Sequence, residues 1–141
     1  MIPDGSKCMT ERFNEILLDT SVVVAHLRGD INVLALTTTT ETSLFISLVV
    51  LGELYKGALS STRPEHNRHR VDDFLSIAGL LHPDSATAEV YAKVAVQLKR
   101  KGHPIPENDV WIAAVALECN MPLATRDAHF QEVEGLKLIG W

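Results

Sequence analysis

The chain has 141 residues, enough for one domain with a real core and too few for two. Hydrophobic residues make up 46% and charged residues 22%, both ordinary values for a globular protein, which excludes a disordered chain. With 13 Lys+Arg against 18 Asp+Glu the net charge is −5, so no overall basic surface advertises a nucleic-acid binder, and a local basic face would have to serve.

Residues 1–14 carry charge, Pro and Gly and lack the apolar stretch of a signal peptide. They read as a flexible tail, with Met9 as an alternative start, ahead of a single domain at 15–141. Cys8 and Cys119 cannot build a disulfide scaffold or a Cys-rich zinc site, which fits a thiol-reducing, cytoplasmic setting. The longest apolar run, Leu48-Val49-Val50-Leu51, stops at Gly52 and Glu53, far short of a bilayer span.

The apolar run 15–19 predicts a strand ending in Asp19. Thr20 or Ser21 then caps a helix carrying Val22, Val23, Val24 and Leu27, closed by Gly29. Residues 30–43 predict a helix that frays into a loop, because the β-branched run Thr37–Thr40 disfavours helix. A buried strand at 44–46 leads through Ser47, an N-cap, into a helix over 48–60 with Leu48, Leu51, Leu54, Tyr55 and Leu59 on one face. A polar turn opens a further helix to about residue 77, then a third strand at 80–82. Asp84 or Ser85 caps a long helix bearing Val90, Tyr91, Val94, Ala95 and Leu98, ended by Lys99-Arg100-Lys101-Gly102 as the macrodipole and C-cap rules favour. After the rigid loop 103–106, Glu107, Asn108 and Asp109 open a helix over 110–118 that is apolar nearly all round and therefore buried. Short strands at 122–125 and 136–139 finish the pattern. Alternating short strands and helices predict an α/β fold, a parallel sheet covered on both faces.

Four acids stand at the points where such a fold binds ligands: Asp19 at the end of the first strand, Glu53 early in the helix after the second, Asp109 in the first turn of the buried helix, and Asp127 after the fourth strand. Converging carboxylates repel one another, and a divalent cation relieves that cost. Oxygen-only ligation suits Mg²⁺ or Mn²⁺, and magnesium's preference for a few carboxylates plus phosphate points to phosphoryl chemistry. Three of the acids also have a plainer reading, as a helix cap for Asp19 and Asp109 and as a surface ion pair with Arg126 for Asp127, whereas Glu53, between Leu51 and Leu54 on a helix with no other acid, is harder to dismiss.

Four motifs run through the chain: Leu17-Leu18-Asp19-Thr20-Ser21-Val22; Ser47 with Glu53-Leu54 and Gly57; Gly102 with Ile105-Pro106, Asp109 and Ile112-Ala113-Ala114; and Leu123 with Thr125-Arg126-Asp127 and His129-Phe130. Together they resemble PIN-domain nucleases, and with the closing Gly135-Leu136 and Trp141 they are similar to the VapC toxins of bacterial toxin–antitoxin pairs. The likeness runs from about Glu15 to Trp141. It implies a three-layer α/β/α fold, Mg²⁺ or Mn²⁺ dependence, RNA cleavage, a homodimer and an antitoxin partner. By match, Asp19, Glu53, Asp109 and Asp127 are the metal-site acids, with Thr20, Ser21, Asn108 and Thr125 as supporting polar groups. Attack by activated water would leave a 3′-hydroxyl and a 5′-phosphate. An antitoxin would silence the crevice with an inserted arginine and an apolar segment in a groove.

Two basic segments, Arg63, Arg68 and Arg70 and then Lys99, Arg100 and Lys101, are candidate RNA contacts, though each also reads as a solvated face. A His66/His69 metal pair is disfavoured by the arginines around it, and Trp111 reads as a buried or interface residue before a base-stacking one. Rival readings are a catalytically inactive binding module on the same fold and an RNA-processing nuclease that is not a toxin. A phosphoaspartyl enzyme would need an acid at position 21, which is Ser.

Overall fold

The structure, a computed structural model, describes residues 14–39 and 41–141. The tail at 1–13, with Cys8 and Met9, and Thr40 lie outside the described residues. Five parallel strands, β1 (Glu15–Leu18), β2 (Ser43–Ser47), β3 (Gly79–Leu81), β4 (Leu123–Thr125) and β5 (Leu138–Gly140), form one sheet in the order β3-β2-β1-β4-β5. Leu17 of β1 pairs with Phe45 on one side and Leu123 on the other. Ile16, Leu17 and Leu18 are all buried, as a central strand covered on both faces demands.

The chain steps outward from β1 to β2 and β3, then returns past β1 to lay down β4 and β5. Right-handed crossovers therefore put α1 (Thr20–Leu27), α2 (Leu34–Thr39), α3 (Leu48–Leu59) and α4 (Pro64–Phe74) on one face, and α5 (Ser85–Lys101) and α6 (Glu107–Glu118) on the other. The direction reverses between β1 and β4, and that is where open α/β sheets bind ligands. Helix ends follow the local chemistry. The Ser47 hydroxyl accepts from the Val50 amide at 3.3 Å, and Asp84 and Thr87 form a reciprocal capping box at the start of α5. Gly102 ends α5 at φ 79°, a left-handed conformation that costs glycine little. Ile112 through Ala116 on α6 are all buried, as its all-round apolar sequence requires.

Several expectations need correction. The N-cap of α1 is Asp19, not Thr20 or Ser21, and its side chain makes no cap hydrogen bond. Part of the threonine run is helical, since α2 extends to Thr39 and the Thr37 hydroxyl donates to the Leu34 carbonyl. α4 stops at Phe74, and β5 begins at Leu138. On α3 the buried face is Val50, Leu51, Leu54 and Ala58, while Leu48 and Leu59 are 43% and 58% exposed. The helix carries two apolar stripes, and spacing alone joined them. Among the described residues, no helix is long and apolar enough to cross a membrane.

Candidate active site

Asp19 leaves the end of the central strand and is 1% exposed. Its Oδ2 accepts from the Ser21 hydroxyl at 2.9 Å, two residues on, and from the Thr125 hydroxyl at 2.8 Å, at the end of the neighbouring β4. The carboxylate is thus spent across the β1–β4 gap and not on capping α1. Thr125 Oγ1 also accepts from the Asp127 amide at 3.0 Å, which turns the chain after β4 back toward the crevice.

Glu53 sits half-buried in the second turn of α3, held by Thr20 Oγ1 at 2.5 Å and by Asn108 Nδ2 at 3.2 Å. One carboxylate thereby joins the start of α1, the middle of α3 and the start of α6. Asp109, in the first turn of α6, is buried and takes its hydrogen bond from His129 Nε2 at 2.5 Å. His129 comes from a short 3₁₀ turn at Ala128–Glu132 and tilts against the buried Phe130 ring at 5.0 Å. Asp19, Glu53 and Asp109, with Thr20, Ser21, Asn108 and Thr125, lie along this edge, while Asp127 is tied to it by its amide on Thr125 and by its charge acting on Asp19.

Electrostatics ties the acids together. Burial raises the Asp19 pKa above the ordinary carboxylate value, with the Asp127 charge pushing the same way and the Thr125, Ser21 and Thr20 hydrogen bonds opposing it. Burial likewise raises Asp109, against the His129 hydrogen bond and with the charges of Asp19 and Glu53. The donor set is all oxygen apart from the imidazole, so a hard divalent cation suits it, and a cation offsets both the burial and the repulsion. Among the described residues, no group of three or more His, Cys, Asp or Glu side chains is placed to hold a metal ion by itself.

Two site residues were not legible from the sequence. His129 stood in the sequence only as part of the last motif, beside Phe130, and the 3₁₀ turn brings it to Asp109. Arg126 read as an ion-pair partner for Asp127, yet among the described residues it makes no ion pair, and its backbone amide donates to Ser21 Oγ at 3.0 Å. The predicted RNA-contacting segments do not lie among the acids. Arg68 stands 5.5 Å from the Tyr55 ring and 4.0 Å from Asp72, and Arg70 donates to the Leu27 carbonyl. Lys101 pairs with Glu132 at 3.1 Å, joining the basic end of α5 to the 3₁₀ turn, while Arg63, Lys99 and Arg100 are exposed. His66 and His69 are exposed on α4, and Trp111 is half-buried, stacked on Tyr91 at 4.1 Å.

The PIN domain family model matches residues 16–136. The chain is 29% identical over 129 residues to Ribonuclease VapC1 of Haemophilus influenzae, covering 89% of this chain and 96% of that protein. It is 33% identical over 97 residues to the tRNA(fMet)-specific endonuclease VapC of Shigella flexneri, covering 68% of this chain and 74% of that one. Among solved structures, VapBC2 from Rickettsia felis bound to a promoter DNA fragment superposes with a TM-score of 0.83 at 27% identity, covering 90% of this chain and 98% of that one.

Because Asp19 is raised, its ionised form is disfavoured in the folded protein. Stability should therefore fall as pH rises from the unfolded carboxylate value, 3.8, through the raised folded value. In the presence of a chelator, Asp19→Asn is expected to melt above wild type at pH 7, the amide oxygen still accepting from Thr125 and Ser21. The gap should close as pH falls toward 4. A variant that melts below wild type at every pH would remove the electrostatic account.

Proposed function

Because the chain belongs to the PIN-domain family, and within it to the VapC ribonucleases, we propose that it is a metal-dependent endoribonuclease acting as the toxin of a toxin–antitoxin pair. The carrying observation is that Asp19, Glu53 and Asp109 are held at the sheet's switch point by hydroxyl, amide and imidazole groups, with the charge of Asp127 acting on Asp19. The nuclease domain is 15–141.

Asp19 and Asp109 would hold Mg²⁺ or Mn²⁺, with Glu53 and Asp127 completing the site. Bound there, the cation supplies Lewis acidity toward a phosphate oxygen and makes water a better nucleophile. The chain's own residues do the rest. Thr125 and Ser21 fix the Asp19 carboxylate, Thr20 and Asn108 fix Glu53, and His129 fixes Asp109, so the acids face the crevice in set orientations. Glu53 or Asp127 takes the proton of the attacking water. Water, rather than a side chain or the ribose 2′-hydroxyl, attacks the phosphorus, the bond to O3′ breaks and O3′ leaves with a proton from solvent, so the products carry a 3′-hydroxyl and a 5′-phosphate.

A partner reading rests on a groove of about 300 Å³ between α1, α3 and α4, lined by Val24, Leu27, Leu54 and Val71 and reaching Glu53. An apolar antitoxin segment fits this groove, with an arginine reaching the acids. An RNA substrate and an antitoxin partner support a cytoplasmic setting. The exposed Leu34, Leu48 and Leu59 support a homodimer through the helices at roughly 20–60. Sedimentation of the chain alone should give about twice 15.5 kDa, and a clean monomer at micromolar concentration would exclude the dimer.

With single-stranded RNA and Mg²⁺ or Mn²⁺, wild type should cleave, and addition of the cognate antitoxin should stop it. Asp19→Asn should remove cleavage and growth inhibition without unfolding the protein. Thr125→Val should lose roughly 10–100-fold in activity, the usual consequence of freeing a ligand from its orienting partner. Wild-type cleavage in Asp19→Asn would overturn the site. A folded wild type that binds RNA and never cuts would favour the inactive binding module, and cleavage without growth inhibition would favour an RNA-processing nuclease.

A further inference from the structure

A second cavity of about 360 Å³ opens beside the acids at the carboxyl ends of β4 and β5. It is lined by Thr125 and Asp127 on the acidic side and by Arg126, Gln131, Ile139 and Trp141 beyond. Its size lies at the small end of the ~300–1,000 Å³ usual for ligand pockets, which suits one nucleotide-sized group. We propose that this cavity is a subsite for the nucleotide adjoining the scissile phosphate, with Arg126 taking a phosphate, Trp141 stacking the base and Gln131 reading its edge.

Three observations carry the proposal. The cavity shares Thr125 and Asp127 with the acid cluster, so a group seated in it is continuous with whatever reacts there. Its lining offers what a nucleotide needs: a guanidinium, an amide that both donates and accepts, and an indole with aliphatic neighbours. The arginine's backbone is anchored to the site: the Arg126 amide donates to Ser21 Oγ at 3.0 Å, and that hydroxyl donates to Asp19 at 2.9 Å. Its side chain is exposed and without an ion pair among the described residues, so the guanidinium is open to a phosphate. A chain of net charge −5 with acids at its site repels RNA, and a cation at that edge supplies local attraction where the overall charge does not.

The proposal rests on the ribonuclease reading, and binding measurements separate the two. RNA affinity is measured with the full chain carrying Asp19→Asn, using a short single-stranded oligoribonucleotide of mixed sequence. Adding Arg126→Ala should weaken binding and lower the slope of log affinity against log salt by about 0.7, one single-strand phosphate's worth. Adding Trp141→Leu should cost roughly tenfold, whereas Trp141→Phe should keep most of the affinity because it keeps a ring to stack. In a Trp111→Phe background the remaining indole fluorescence should be quenched on RNA addition, a readout that needs neither catalysis nor Arg126. In the active protein, Arg126→Ala should raise KM with kcat little changed, and Trp141→Leu should relax the nucleotide preference beside the cut. Unchanged affinity, salt slope and cut sites in folded Arg126→Ala and Trp141→Leu proteins would overturn the subsite while leaving the nuclease standing. Loss of antitoxin binding without loss of RNA binding would overturn it too, assigning the cavity to the partner. Absence of cleavage in wild type with these binding effects intact would defeat the nuclease reading and leave the subsite.

Discussion

A carboxylate buried at the end of the central strand, with other carboxylates near it and no basic side chain paired to it among the described residues, is the constraint from which the arrangement follows. Asp19 is kept there by two hydroxyls, one from the first turn of α1 and one from the end of β4. The Thr125 bond joins the ends of β1 and β4, where the order of strands reverses direction, so the group that ties these strand ends together is also the group at the centre of the site. The same economy holds for Glu53, whose two oxygens bind three helices together through Thr20 and Asn108. Fold and site share their hydrogen bonds.

At Asp19 and Asp109 the hydrogen-bond donors do not offset the cost of burial, to which neighbouring charges add a smaller penalty. Asp109 gains from the N-terminal end of α6 and from His129, yet burial and its neighbours still raise it above the ordinary carboxylate value. A divalent cation turns this deficit into an advantage, and phosphate is a substrate group that shares such a cation. Arg126 lies at the rim because a guanidinium placed among the acids would satisfy them permanently, whereas beside them it attracts RNA without displacing the metal.

The parallel sheet, the order of elements and the four acids were legible in the sequence because each rests on a short-range signal: an apolar run ending in Asp19, a Ser47 cap, an Asp84 cap with Gly102 closing the same helix. What failed depended on tertiary context. The buried face of α3 could not be told from its second apolar stripe, because Leu48, Tyr55 and Leu59 repeat at helical spacing as well as Val50, Leu51, Leu54 and Ala58 do. Asp19 was legible as a candidate site acid with a helix cap as its plainer alternative, but its bond to the distant Thr125, which decides how the carboxylate is held, has no local signal. His129 and Arg126 follow β4 in a segment with no periodic pattern, so nothing local told which of them would face the acids.

The central claim is that the clustered acids are at odds with one another until a divalent cation joins them. Thermal melting of the full chain, first in chelator and then at rising Mg²⁺ or Mn²⁺, tests it directly when wild type and Asp109→Asn are followed together. The account predicts that the wild-type Tm climbs steadily with metal concentration, as for any ligand that binds only the folded state, while the variant responds far less. A wild-type Tm that ignores the metal, or a variant that climbs as steeply as wild type, would contradict it.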